Sequence, residues 1–222
     1  MSNTYYPSDS NKYVLIESFS GAAQNLTSHV PSYSASANIW EDSDSLTQHF
    51  RIGDVAGALD QGASANQNQI GGLELGVNPA NIFVEADIAV GSNIRIYIRK
   101  QNDSVDANDA TPGASAECIR IRIKCDSPTV GFSSDLAIIN VGVATVQTDT
   151  DGNGGSFDSQ VAVSNSATPT SFLITDDGSN ITLTIAGATR TWAGITDHFG
   201  QTKIGFGFAV GSASEILQVR AW

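Results

Sequence analysis

Two eight-residue runs, NIRIYIRK at 93–100 and CIRIRIKC at 118–125, hold six of the eleven Lys and Arg residues in a 222-residue chain of net charge −12. In each run isoleucine alternates with a basic or aromatic residue. Successive side chains of a strand point to opposite faces, so Arg95, Tyr97 and Arg99 share one face of the first run, and Arg120 and Arg122 one face of the second. Just upstream, FVEADIAV at 83–90 sets Glu85 and Asp87 on one side of its own run. Consecutive strands are usually neighbours. The three runs are therefore expected to pair, with the isoleucines buried and both carboxylates beside outward-facing guanidinium groups. Two readings of that face stand. One is a ladder of cross-strand ion pairs that fixes register, each contributing about 0.2–1 kcal/mol. The other is a ligand face, since forked guanidinium donors, a phenol and carboxylates suit a hydroxylated or anionic ligand.

A second candidate is oxygen chemistry. The stretch Asp149-Thr150-Asp151-Gly152-Asn153-Gly154 repeats the first half of a calcium loop, in which oxygens at alternate positions converge on the ion and a glycine permits the sharp turn. The twelfth position is Gln160 rather than a bidentate glutamate, and the flanks read as strands, so a helix–loop–helix site is excluded. What stands is a Gly- and Asp-rich turn, or that turn holding calcium weakly through Asp149, Asp151, Asn153 and Asp158. No other cofactor is expected.

Of the three tryptophans, Trp192 beside Arg190 reads as an aromatic platform at a loop edge, whereas Trp40 and Trp222 read as packing residues. His29, His49 and His198 lie in polar or turn-like stretches and are expected to face solvent. Cys118 and Cys125 fall on opposite faces of one strand, about 23 Å apart at about 3.3 Å per residue, too far to bridge. Neither a Gly-x-Ser-x-Gly elbow, nor a phosphate loop, nor a dinucleotide fingerprint occurs.

Positioning these residues falls to strands. The chain has 21 glycines, abundant β-branched residues and no amphipathic helical stripe. Extended runs recur at 13–19, 47–52, 70–75, 83–90, 93–100, 118–124, 135–139, 144–148, 160–163, 171–175, 181–186, 203–210 and 215–221, with turn chemistry such as Asp176-Asp177-Gly178-Ser179-Asn180 and Gly91-Ser92-Asn93 between them. The expected architecture is all-β: one antiparallel two-sheet sandwich over 13–222, preceded by a polar tail, 1–12. The acidic balance argues against a nucleic-acid partner and against anionic membrane surfaces. Residues 1–12 show no basic segment followed by an apolar one, and no run approaches the length of a membrane span.

The order of elements resembles a known family. Glu17-Ser18-Phe19-Ser20-Gly21, then Leu26-Thr27-Ser28-His29-Val30-Pro31, Trp40, and Phe50-Arg51-Ile52 leading to Gly57-Ala58-Leu59, are similar to the opening of concanavalin A-like (laminin G-like, lectin/glucanase) domains of bacteriophage virion proteins. Ser179 to Gly187, and Lys203-Ile204-Gly205-Phe206-Gly207-Phe208 followed by Ile216 to Trp222, resemble the later hairpin strand and the closing pair. The resemblance implies a jelly roll whose last strand lies beside its first. Glucanases of this fold carry Glu-x-Asp followed by a second glutamate; here Glu85-Ala86-Asp87 is followed by Ile88, Ala89 and Val90, so the catalytic pair is incomplete. The implied function is a non-enzymatic virion module, decorating the capsid or sitting in the tail. Its partners would be other virion proteins and copies of itself in a homo-oligomer, assembled in the host cytoplasm. A glycan-binding adhesion lectin is the alternative, and a laminarinase-type hydrolase stands behind both.

Overall fold

The computed structural model describes residues 12–36, 40–42, 51–52, 57–60, 71–101, 117–127, 131–150, 158–161, 169–185, 187–208 and 214–222. Among them eighteen strands and one 3-10 turn follow in order. The strands are β1 (Leu15–Glu17), β2 (Gln24–Asn25), β3 (Tyr33–Ser34), β4 (Glu41–Asp42), β5 (Arg51–Ile52), β6 (Leu59–Asp60), β7 (Gly71–Glu74), β8 (Asn81–Asp87) and β9 (Asn93–Lys100). They continue as β10 (Cys118–Ser127), β11 (Gly131–Asn140), β12 (Val143–Val146), β13 (Asp158–Val161), β14 (Thr170–Asp176), β15 (Asn180–Ile185), β16 (Ala188–Ala193), β17 (Lys203–Phe208) and β18 (Glu215–Ala221).

They form two antiparallel sheets. The first runs β16-β15-β14-β8-β18-β6-β5-β2, with β1 also on β18 and β3 on β1; the second runs β12-β11-β10-β9-β17-β7-β4, with β13 on β11. The last strand does lie against the first, Leu15 opposite Ala221. Period-two patterning explains the stacking. Ile82, Val84 and Ala86 of β8, Phe172 and Ile174 of β14, and Ile181, Leu183 and Ile185 of β15 meet Ile94, Ile96 and Ile98 of β9 and Ile119, Ile121 and Ile123 of β10 in one core. An edge-to-face contact between Phe132 and Phe172, centroids 5.7 Å apart, bridges the sheets.

One expected pairing fails, and the site depends on it. β8 belongs to the first sheet, between β14 and β18, whereas β9 belongs to the second, between β10 and β17. The Gly91-Ser92-Asn93 link is a crossover between layers and not a hairpin. Its backbone is pinned to the end of β10 by Gly91 N–H to Cys125 O (2.7 Å) and Cys125 N–H to Ser92 O (3.1 Å). The Asp176 to Asn180 turn, by contrast, joins the neighbouring strands β14 and β15 as a hairpin. The segment 188–193, read as a loop edge, is edge strand β16. The polar tail 1–12 lies outside the described residues except for Lys12, whose Nζ sits 5.1 Å from the Tyr13 ring centre and 5.3 Å from that of Trp222.

Candidate functional site

The crossover separates the residues expected to form one site. Glu85 and Asp87 project from the outward side of the first sheet, while the arginines belong to the second. Nor do the arginines face water. Arg95, Tyr97, Arg99, Arg120 and Arg122 are all buried. Alternation holds, but the polar side of β9 and β10 is a second enclosed layer in which Tyr97 packs with Cys118 and Ile139. Gly205 and Gly207 of β17 stand directly opposite Tyr97 and Arg95 and leave room for these long side chains. The ion-pair ladder exists with a different partner strand: Arg122 faces Asp135 of β11 and donates to it from Nε (2.8 Å) and from Nη2, while Arg120 Nη2 lies 3.9 Å from the same carboxylate. Cys118 and Cys125 are buried and form no disulfide, and burial pushes the Cys118 thiol up to about 12, so it is protonated and inert at neutral pH.

Two further arginines join the layers. Arg99 takes a positive φ of 49° where β9 is irregular against β17, and its guanidinium reaches Asp176 at the end of β14. Its Nη1 donates to the carbonyls of Ile195 and Asp197, both at 2.9 Å. Burial opposes ionisation of Asp176, yet the Arg99 hydrogen bonds hold its carboxyl below the usual range. Arg190, on the inward side of β16, spans to the Ser134 carbonyl of β11, donates to Asp149 (2.7 Å) and lies 5.1 Å from the Trp192 ring centre. One expectation is thereby corrected, and one candidate calcium ligand is found engaged elsewhere. Trp192 is fully buried and offers no platform. Asp149 is committed to a guanidinium, whose charge opposes a cation there. Asp151 and Asn153 lie outside the described residues, as does the side chain of Asp158, and among the described residues no group of three His, Cys, Asp or Glu side chains could hold a metal.

The outward side of the first sheet is the open polar surface. Its register aligns Tyr33, Ile16, Arg220, Phe83, Leu173, Thr184 and Thr189 in one row across seven strands. A second row carries Asn81, Thr175, Thr182 and Thr191. Along these rows Thr182 and Thr191 hydroxyls lie 3.1 Å apart, Thr184 and Thr189 3.2 Å, and the Thr175 hydroxyl donates to Asn81 Oδ1 at 3.4 Å. The Arg220 guanidinium rests 5.9 Å from the centre of the half-buried Phe83 ring. Beyond Phe83, Glu85 faces Ser171 and Gln218, and Asp87 faces Glu215. Burial, reinforced by Asp60 and Asp87, raises the Glu215 carboxyl above the ordinary range. The sequence reading included Glu85 and Asp87 but not Phe83, Arg220, Glu215 or the threonines. Thr182 and Thr184 in ITLTIA and Thr189 and Thr191 in ATRTWA keep period-two spacing, which was the available signal; Glu215 and Arg220, five positions apart across the irregularity of β18, do not.

Glu17, the first residue of the opening motif, is a structural anchor. Its fully buried carboxylate accepts from the backbone N–H of Ser18 (2.7 Å) and Phe19 (2.6 Å), from Ser32, and lies 3.0 Å from His29 Nε2. His29 is therefore enclosed rather than solvent-facing, and His198 is half-buried with Nε2 3.0 Å from the Ile139 carbonyl; His49 lies outside the described residues. Trp40 packs as expected, against Phe19 and Phe206.

No protein-family model matches the sequence, and no curated protein matches it. Solved structures do match the fold. The Ca2+-bound exoplasmic/lumenal domain of VIP36 superposes with a TM-score of 0.59 at 9% identity, covering 93% of this chain and 91% of that one. A Bacillus subtilis protein of unknown function with a galectin-like fold gives 0.50 at 11% identity, over 93% of this chain and 97% of that one. The Bacillus licheniformis β-glucanase gives 0.50 at 11% identity, over 90% and 98%. Identities this low speak for the fold alone, and the fold is the two-sheet jelly roll of galectin-like and β-glucanase structures.

Proposed function

We propose that this chain is a non-enzymatic carbohydrate-binding module whose ligand lies across the outward side of the first sheet. The observation that carries the reading is the register of that face, which brings the Phe83 ring and the Arg220 guanidinium alongside rows of threonine hydroxyls and the Glu85 and Asp87 carboxylates. An apolar ring surface bordered by convergent donors and acceptors suits a sugar, which has one face of C–H groups and a rim of hydroxyls. Charge decides the ligand class: with a net charge of −12 and two carboxylates on the face itself, a neutral glycan is favoured over an acidic one.

Binding to an array of neutral oligosaccharides, lost by about tenfold or more in Phe83→Ala and Arg220→Ala at unchanged stability, supports this reading; tenfold corresponds to about 1.4 kcal/mol. Silence across the array refutes it. The sequence resemblance adds a virion setting, capsid or tail, in which this face would be displayed; copurification with particles tests that part separately.

A second reading rests on one pairing. Asp87 and Glu215 are direct cross-strand neighbours, and Glu215 is shifted towards its protonated form, the division of labour that glycoside hydrolysis requires of two carboxyls. Sugar release abolished by both Asp87→Asn and Glu215→Gln would establish it over the binding module.

A further inference from the structure

At the β14–β15 end of that sheet, the turn after β16 presents the one large aromatic side chain that is mostly exposed among the described residues. Phe199 is 63% exposed. The ring is held in place from beneath. The Arg99 guanidinium carbon lies 5.2 Å from its centre, and the turn between β14 and β15 approaches so closely that a Cβ on Gly178 (φ +91°) would come within 2.9 Å of Phe199 Cε2. The backbone on either side takes positive φ: His198 at 53°, with Nε2 3.0 Å from the Ile139 carbonyl, and Gly200 at 93°. A non-glycine residue in that region costs about 1–3 kcal/mol and persists where the surroundings impose it, often at ligand sites. Here a strained, clipped turn presents an apolar ring to water instead of hiding it.

The surroundings select the ligand. The Arg99 charge on the inner side of the ring opposes a cation stacking on the outer side. The adjacent turn carries Asp177, whose carboxyl accepts from Asn180 Nδ2 (2.9 Å) and from the N–H groups of Asn180 and Ser179, and opposes an anion. An uncharged ring with a C–H face and hydroxyl donors meets both constraints. We propose that Phe199 is the stacking platform of a second carbohydrate subsite, taking a neutral pyranose whose hydroxyls bond to Asp177 and Asn180 at the Gly178 turn. This deepens the carbohydrate reading above and rests on it for ligand class, but not for the location of the site.

The test is calorimetric titration of the full chain with cellohexaose, laminarihexaose and maltohexaose. Phe199→Leu, which keeps apolar bulk but removes the ring, is compared with Phe199→Trp, Phe83→Ala and the parent, with thermal unfolding of each variant as a control for folding. The proposal expects at least one hexaose to bind, Phe199→Leu to weaken it about tenfold or more, and Phe199→Trp to retain or strengthen it. Parent-like affinity in Phe199→Leu with loss in Phe83→Ala overturns the subsite and leaves the sheet face standing. The reverse pattern keeps the subsite and overturns the sheet face. No binding of any hexaose by the parent overturns both.

Discussion

Replacing Arg99 with methionine separates an internal strut from a ligand contact. The change removes the two donors on Asp176 and the Nη1 donor shared by the Ile195 and Asp197 carbonyls, while leaving a carboxylate in a site that is 7% exposed. Breaking a buried ion pair from one side costs about 3–5 kcal/mol, because the remaining charge has lost its partner. At about 2–4 °C per kcal/mol for a chain of this size, the melting temperature should fall by about 6–20 °C. Urea unfolding should show a lower midpoint with an unchanged slope, the signature of lost stability rather than altered compactness. Arg99→Lys, which keeps the charge but not the fork, should fall between. The double variant Arg99→Met with Asp176→Leu should be less destabilised than Arg99→Met alone, since it removes the stranded charge as well. A melting temperature within about 2 °C of the parent in Arg99→Met would show that the guanidinium is not holding the sheets together, and the account of the arginines would be wrong.

Two other carboxylates give predictions of opposite sign. Glu215 is raised above its reference value of 4.5, so the native state binds more protons than the unfolded chain just above that pH, and stability declines as pH rises through the shifted value. Glu215→Gln should therefore raise the melting temperature at pH 7 relative to the parent, with the gain vanishing near pH 4; a gain independent of pH would contradict this, and thermal unfolding across pH reads it directly. Glu17→Gln replaces a buried acceptor surrounded by donors with a group that is itself half donor, and should cost about 2–3 kcal/mol by urea unfolding. A change below about 0.5 kcal/mol would show that those donors find other partners.

The architecture was legible because alternation of isoleucine, valine and phenylalanine states which side of each strand is apolar, and the bounds of β9 follow from it residue for residue. Alternation does not state whether the other side is wet. The polar side of β9 and β10 is enclosed because Gly205 and Gly207 make room for Arg95 and Tyr97 and because Asp135 compensates Arg122, facts written in other strands. Nor does adjacency in sequence settle adjacency in a sandwich: within six residues of Asp87 the chain changes sheets, and the carboxylates and arginines part company. Trp192 was misplaced for a related reason. The pattern Thr-Arg-Thr-Trp has its polar Arg190 on the inward side, where a salt bridge to Asp149 makes burial tolerable, so the period-two signal was masked. The outward threonines and Arg220 carry no motif of their own, and only register assembles them into a face.

On the proposed function, the open side of the first sheet, not the arginine strands, meets the ligand. Backbone amide shift mapping by NMR, with a neutral oligosaccharide titrated into labelled protein, tests it most directly. Perturbations are expected to concentrate in β8, β14 and β18 around Phe83, Leu173 and Arg220. Perturbations centred on β9 and β10, around Arg95 and Arg122, with the first sheet silent, would contradict it.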